Sequence, residues 1–204
     1  MMDTALRQAF DAIVKRDAEG LARMLENNPA LATAALQEGA SRADAAPSFY
    51  EEIRHYVYRG DTALHVAAAA HWLEGVRLLL RAGASHAARN RHRQSPLHYA
   101  CAGGPGLPGW NPDAQAQAIQ ALLDAGADVN ARAMGEVTSL HTAVRNRCSR
   151  AVETLLRGGA DRSLGNKRGS TPAHLATVTS GRGQTGSAEA KAEQAKIVAM
   201  LASR

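Results

Sequence analysis

The chain has 204 residues, 45% of them apolar and only 4% aromatic, with a formal charge of +5 and a sequence pI near 9.6. That apolar share suffices for one core or for a short array of repeats that share a core, and the abundance of Ala, the best helix former, favours an all-α protein over a β-sandwich. No apolar run of about 18 residues is available to span a membrane, and Cys101 and Cys148 are too few for a disulfide framework. Residues 1–17 lack the unbroken apolar stretch of a secretory leader. A cytoplasmic setting is therefore expected.

In chain order, residues 4–36 read as a pair of helices. Leu6, Phe10, Ile13 and Val14 form one apolar stripe, and Leu21, Met24 and Leu25 form the next. Residues 37–58 are an irregular connection: 40–48 reads as loop, and 49–58 as a short helix or strand. From residue 59 onward one pattern recurs. Asp61-Thr62-Ala63-Leu64-His65 is echoed by Gln94-Ser95-Pro96-Leu97-His98, by Val137-Thr138-Ser139-Leu140-His141 and by Ser170-Thr171-Pro172-Ala173-His174. The histidines are separated by 33, 43 and 33 positions.

A second landmark keeps step with the first. Leu79-Leu80-Arg81-Ala82-Gly83-Ala84 recurs at Leu122 to Ala127 and at Leu155 to Ala160. Ser95 and Thr171 offer an N-cap oxygen, and Pro96 and Pro172 behind them suit the first helical position. Each Gly falls just past an apolar helix, where a left-handed C-cap is needed. One such helix pair cannot bury its apolar face alone, so stability comes from stacking. Leu79, Leu80, Leu122, Leu123, Leu155 and Leu156 are the expected shared core.

With the 33-residue period and Asp128-Val129-Asn130-Ala131, these motifs resemble the ankyrin repeat from Gly60 onward. The resemblance implies a solenoid of stacked helix-turn-helix units with protruding β-turn fingers. It divides a single domain, 1–204, into a degenerate capping pair (4–36), the connection (37–58) and repeats at 59–91, 92–134, 135–167 and 168–204. Two repeats carry insertions, at 103–112 and 180–187, both expected in the turn between first and second helices. They read either as tolerated loops or as a second recognition surface with Trp110 as anchor on the first and Arg182 on the second; Trp110 folded back over the second helix is the third reading.

The family resemblance also implies a binding role for the fingers and first helices. Mapped onto this chain, that surface comprises Tyr58, Arg59, Asp61, Arg91, His92, Gln94, Met134, Val137, Arg145, Asn146, Lys167, Arg168 and Ser170. It is basic with a few apolar contacts, so the expected partner is another protein with an acidic surface. Nucleic acid, drawn to the same basic fingers, is the alternative. A monomer with no membrane association is expected.

Catalytic, metal and cofactor chemistry find little support. Gly181, Gly183 and Gly186 match the dinucleotide fingerprint, but a helix, not a strand, precedes them. One His per repeat spreads the rings roughly 10 Å apart, too far for a shared ion whose ligands lie about 2 Å away. Hydrogen bonding to a neighbouring repeat's backbone is the expected role. Cys101 reads as an inert core thiol, and Cys148, among Arg145, Arg147 and Arg150, as a surface one.

Overall fold

The first helices begin where a Ser or Thr stands three residues ahead of a His, and a computed structural model, which describes residues 2–178 and 187–202, shows why. Thr62, Ser95 and Thr138 are extended N-caps of α3 (Ala63–Ala69), α5 (Pro96–Ala100) and α7 (Ser139–Arg145). In each, the backbone N–H of the cap donates to Nδ1 of the His, at 3.2, 3.3 and 3.2 Å. Histidine thus fills the reciprocal role that Glu or Gln takes in a capping box.

Accepting that proton fixes the tautomer, so Nε2 carries the ring hydrogen. It donates across to the finger of the next repeat: His65 to Gln94 O (3.1 Å), His98 to Val137 O (3.1 Å) and His141 to Ser170 O (3.0 Å). Burial pushes His65 and His98 down to about 4, which keeps both rings neutral and the tautomer intact at neutral pH. The histidines are therefore connectors between repeats, as their spacing suggests. His174 is exposed.

The preceding pair is α1 (Met2–Val14) and α2 (Ala18–Asn27). The remaining helices are α4 (Leu73–Arg81), α6 (Pro112–Asp124), α8 (Ser149–Arg157), α9 (Pro172–Thr177) and α10 (Ala188–Ala202). They stack in two layers: α1, α3, α5, α7 and α9 form one, and α2, α4, α6, α8 and α10 the other. Gly83, Gly126 and Gly159, with φ of 88°, 92° and 86°, end the second helices. The amide after each returns to the carbonyl of Leu79, Leu122 or Leu155, closing the last turn.

Leu79, Leu122 and Leu155 are fully buried, whereas Leu80, Leu123 and Leu156 are half-buried at the edge of the core. The expectation that both leucines of each pair lie in the shared core is corrected by one position. The helical turn of 100° between neighbours carries the second leucine toward the outer surface.

Residues 37–58 fold onto the first-helix layer. Phe49–Tyr50 (β1) pairs antiparallel with His55–Tyr56 (β2), making a minimal hairpin whose Phe49 faces Tyr56. Tyr50 meets Phe10 of α1 edge-on at 6.1 Å, and His55 meets Tyr99 of α5 at 4.4 Å. The hairpin therefore spans α1 to α5 across the front of α3.

The insertion at 103–112 joins α5 to α6 and is braced at both ends. Gln115, fully buried, donates to Ala100 O and Ala102 O and accepts from Trp110 Nε1 at 3.1 Å. Gly103 O accepts from Cys148 Sγ, and the Cβ that any other residue would place at Gly104 would lie 2.5 Å from Asn146 O. Cys148 is thus buried against this loop, not a surface thiol, and burial pushes its pKa up to about 12 in spite of the neighbouring arginines. Trp110 is half-buried and folded back toward α6.

Candidate functional site

The fingers are tied side by side by backbone bonds. Arg91 N donates to Arg59 O (2.8 Å), Met134 N to His92 O (2.9 Å) and Lys167 N to Gly135 O (2.8 Å). Within the turns, Asn90 Oδ1 accepts from His92 N and Gln94 N, and Asn166 Oδ1 accepts from Arg168 N and Ser170 N. The Asn side chains fasten the turn inward and leave the residues beside them facing solvent. Arg59, Arg91, Lys167 and Arg168 are exposed, and Met134 is 59% exposed.

Two adjoining clefts lie between these fingers and the first helices. One, of about 400 Å³, is lined by Tyr58, His92, Gln94, Met134, Val137, Arg145 and Asn146, together with Ala133 and Thr142. The other, of about 520 Å³, is lined by Val137, Arg145, Lys167, Arg168 and Ser170, with Gly135, Asn166 and Leu175. Val137 and Arg145 belong to both, so the clefts form one trough along two repeats. Most of the sequence-predicted surface is thereby brought together. Arg91 sits at its rim, with its guanidinium 5.1 Å from the centre of the Tyr58 ring, and Arg59 lies outside it.

Asp61 is the exception. It was expected on the surface, as the counterpart of Gln94, Val137 and Ser170, but it is fully buried. The hairpin covers it, and it accepts hydrogen bonds from Tyr58 N (2.7 Å), Asn90 Nδ2 (2.9 Å) and Tyr99 Oη (2.6 Å). Burial raises its pKa, against the lowering effect of those three donors. Its role is to hold the hairpin, the first fingers and α5 together. Arg182 and residues 180–186 of the second insertion lie outside the described residues.

Thr142 and Leu175 were missed. Each directly follows its repeat's His and faces the trough, a position legible from the repeat register alone. The equivalent Val66 and Tyr99 are buried, at 0% and 1% exposure, and His55 of the hairpin lies against Tyr99.

The trough is positive and uncompensated. Arg91, Arg145, Lys167 and Arg168 enter no ion pair among the described residues, and no Asp or Glu among them lines either cleft. Glu136, near the rim, is already paired with Arg132 at 2.9 Å. Burial, helped by Arg91, holds the His92 imidazole below its ordinary range, so it presents a neutral ring against Tyr58. A further cavity of about 220 Å³ separates the hairpin tip from the 103–112 loop and is lined by Ile53, Arg54, His71, Leu107 and Trp110. No described helix is long and apolar enough to cross a membrane.

Comparison with known proteins agrees with this architecture. A family model described as "Ankyrin repeats (3 copies)" matches residues 21–133, and "Ankyrin repeats (many copies)" matches 122–176. The chain is similar to Ankyrin repeat and SOCS box protein 16 of Mus musculus, 43% identical over 111 residues, covering 54% of this chain and 24% of that protein. It is also similar to B-cell lymphoma 3 protein of Homo sapiens, 38% identical over 104 residues, or 49% of this chain and 21% of that protein. The chain spans about a quarter of the length of these relatives or less. Two-layered stacking, linked fingers, the His connectors and these matches lead to one statement of kinship: the chain belongs to the ankyrin repeat family.

Proposed function

We propose that this chain is a non-catalytic module that binds an acidic surface of another protein in the trough between its fingers and α7 and α9. Ankyrin repeats are in general protein-interaction modules, which supports the class of function. The observation that carries the finer reading is the set of uncompensated cations, Arg91, Arg145, Lys167 and Arg168, around the two clefts. A charge-neutral protein surface interleaves both signs, whereas one-signed charge along a trough raises the local concentration of an opposite partner. Apolar contact from Met134 and Val137 supplies the non-directional part of the affinity.

The test is a comparison of wild type with Arg91→Glu/Arg168→Glu as baits, under mild cross-linking, with captured proteins identified by mass spectrometry. Partners lost from the variant and acidic where they cross-link support the proposal. An unchanged set of partners overturns it. A basic trough also attracts polyanions, so the same pair is titrated against a single-stranded RNA at two salt concentrations. Tight, steeply salt-dependent binding that the variant abolishes would replace the protein partner with nucleic acid.

A further inference from the structure

We infer that the trough receives an extended, acidic peptide segment, in which an apolar side chain is followed about three residues away by carboxylates. This inference rests on the protein-binding reading above and specifies the form of the partner.

The two clefts differ in character. Around the first, Tyr58, Ala133, Met134 and Val137 supply apolar surface, and Arg145 is its sole charged lining residue. The second shares Val137 and adds Leu175, but Lys167 and Arg168 on the finger with Arg145 on α7 give it three cations where the first has one. An apolar side chain fits the first and carboxylates fit the second. Because the clefts belong to successive repeats, their centres are separated by about 10 Å, the spacing of packed helices. Extended chain advances about 3.3 Å per residue, so three residues carry a segment from one to the other. Arg145, common to both, faces the backbone between them.

The protein itself shows that this face accepts extended chain. Its own hairpin lies on the same layer of helices one step earlier, with aromatic side chains against α1 and α5. The hairpin leaves off at Tyr58, which is the first lining residue of the open trough. A peptide in the trough therefore lies beside the chain that leaves the hairpin, with Tyr58 at its apolar end. Its neutral neighbour His92 adds no charge at that apolar end.

A random-peptide library displayed on phage and panned on the immobilised full chain provides the probe. Enrichment of peptides with an apolar residue and an acidic pair at the stated interval is expected. Synthetic versions, titrated by fluorescence polarisation, should lose roughly tenfold or more in affinity on Arg145→Glu or Lys167→Glu, as for charge partners inside an interface. Arg77→Glu, on the exposed side of α4, should leave affinity unchanged and reports on folding. Moving the acidic pair directly beside the apolar residue should weaken binding to a similar extent. Enriched peptides without acidic residues, or indifferent to spacing and to Arg145→Glu, overturn the inference. If no peptide binds but Arg91→Glu/Arg168→Glu still strips whole proteins from the bait, the partner presents a folded surface: the peptide is then refuted and the binding face is retained.

Discussion

The first-helix layer is one surface built twice, covered in its N-terminal half and open in its C-terminal half. The residue after the repeat His is Val66 or Tyr99 in the covered half, and both are buried; in the open half it is Thr142 or Leu175, and both line the trough. Four residues after the His stands Ala69 in one half and exposed Arg145 in the other. The residue ahead of the cap is buried Asp61 in one and half-buried Ser170 in the other. The repeats are alike in backbone and core. What divides them is the hairpin, and the side chains beneath it have the character of an interior. A position's place in the repeat therefore does not by itself say whether it is free to bind.

The largest effects should ignore that division, because the core is shared. Leu79→Ala and Leu155→Ala, one in each half and both fully buried, should each cost about 2–5 kcal/mol in denaturant unfolding. A small loss at Leu155 alone would mean that the open half is loosely packed, and the contrast would then be one of cores and not of faces.

Acid should discriminate between the halves. Burial lowers His55, His65, His71 and His98 to about 4. The unfolded chain protonates these groups near 6.5, so between those values it binds more protons than the folded chain. Stability is thus fully present above about pH 6.5 and falls as pH drops toward 4. Asp61, whose pKa is raised, acts in the opposite sense and offsets part of the loss. His141 is also lowered by burial, and His174 is exposed. Hydrogen exchange at pH 5 against pH 7 should show protection lost first from the hairpin, α3 and α5. Uniform loss along the array would contradict the assignment.

Asp61→Ala strands three donors in the covered half and should cost roughly 1–3 kcal/mol. Ser170→Ala, its counterpart in the open half, lies at a half-exposed surface position and should stay within about 0.5 kcal/mol. Thermal melts of the two variants test the contrast directly, and equal shifts would deny that the hairpin makes the difference. Smallest of all, Arg91→Glu/Arg168→Glu should leave the melting temperature nearly unchanged, since exposed charges contribute little to folding.

The repeat array was legible from its first Thr-x-x-His, because capping, C-cap glycines and a constant period all agree. The hairpin was not. Two residues per strand are too few to show alternation, and what holds them is tertiary: Phe10, Tyr99 and Asp61 from elements far apart in sequence. The residues placed in solvent but found buried follow from such covering. Asp61 was assigned to solvent by analogy with the other fingers, and Cys148 by its arginine neighbours, yet the 103–112 loop closes over its thiol. The cations of the trough stand exposed, as the repeat register implies, because nothing lies over them. Thr142 and Leu175 were available from the same register and were overlooked.

The hairpin has a further consequence for how such a chain changes over time. The length of surface available to a ligand is set by subtraction: the repeats present, less those the chain covers itself. Residues 37–58 do the covering, and they lie outside every repeat that lines the trough except through Tyr58. A deletion or extension confined to residues 37–57 would lengthen or shorten the footprint by whole repeats while leaving each trough residue untouched. Two descendants of this chain with identical clefts would then differ in the size of the partner they accommodate, through an event no comparison of their contact residues would detect.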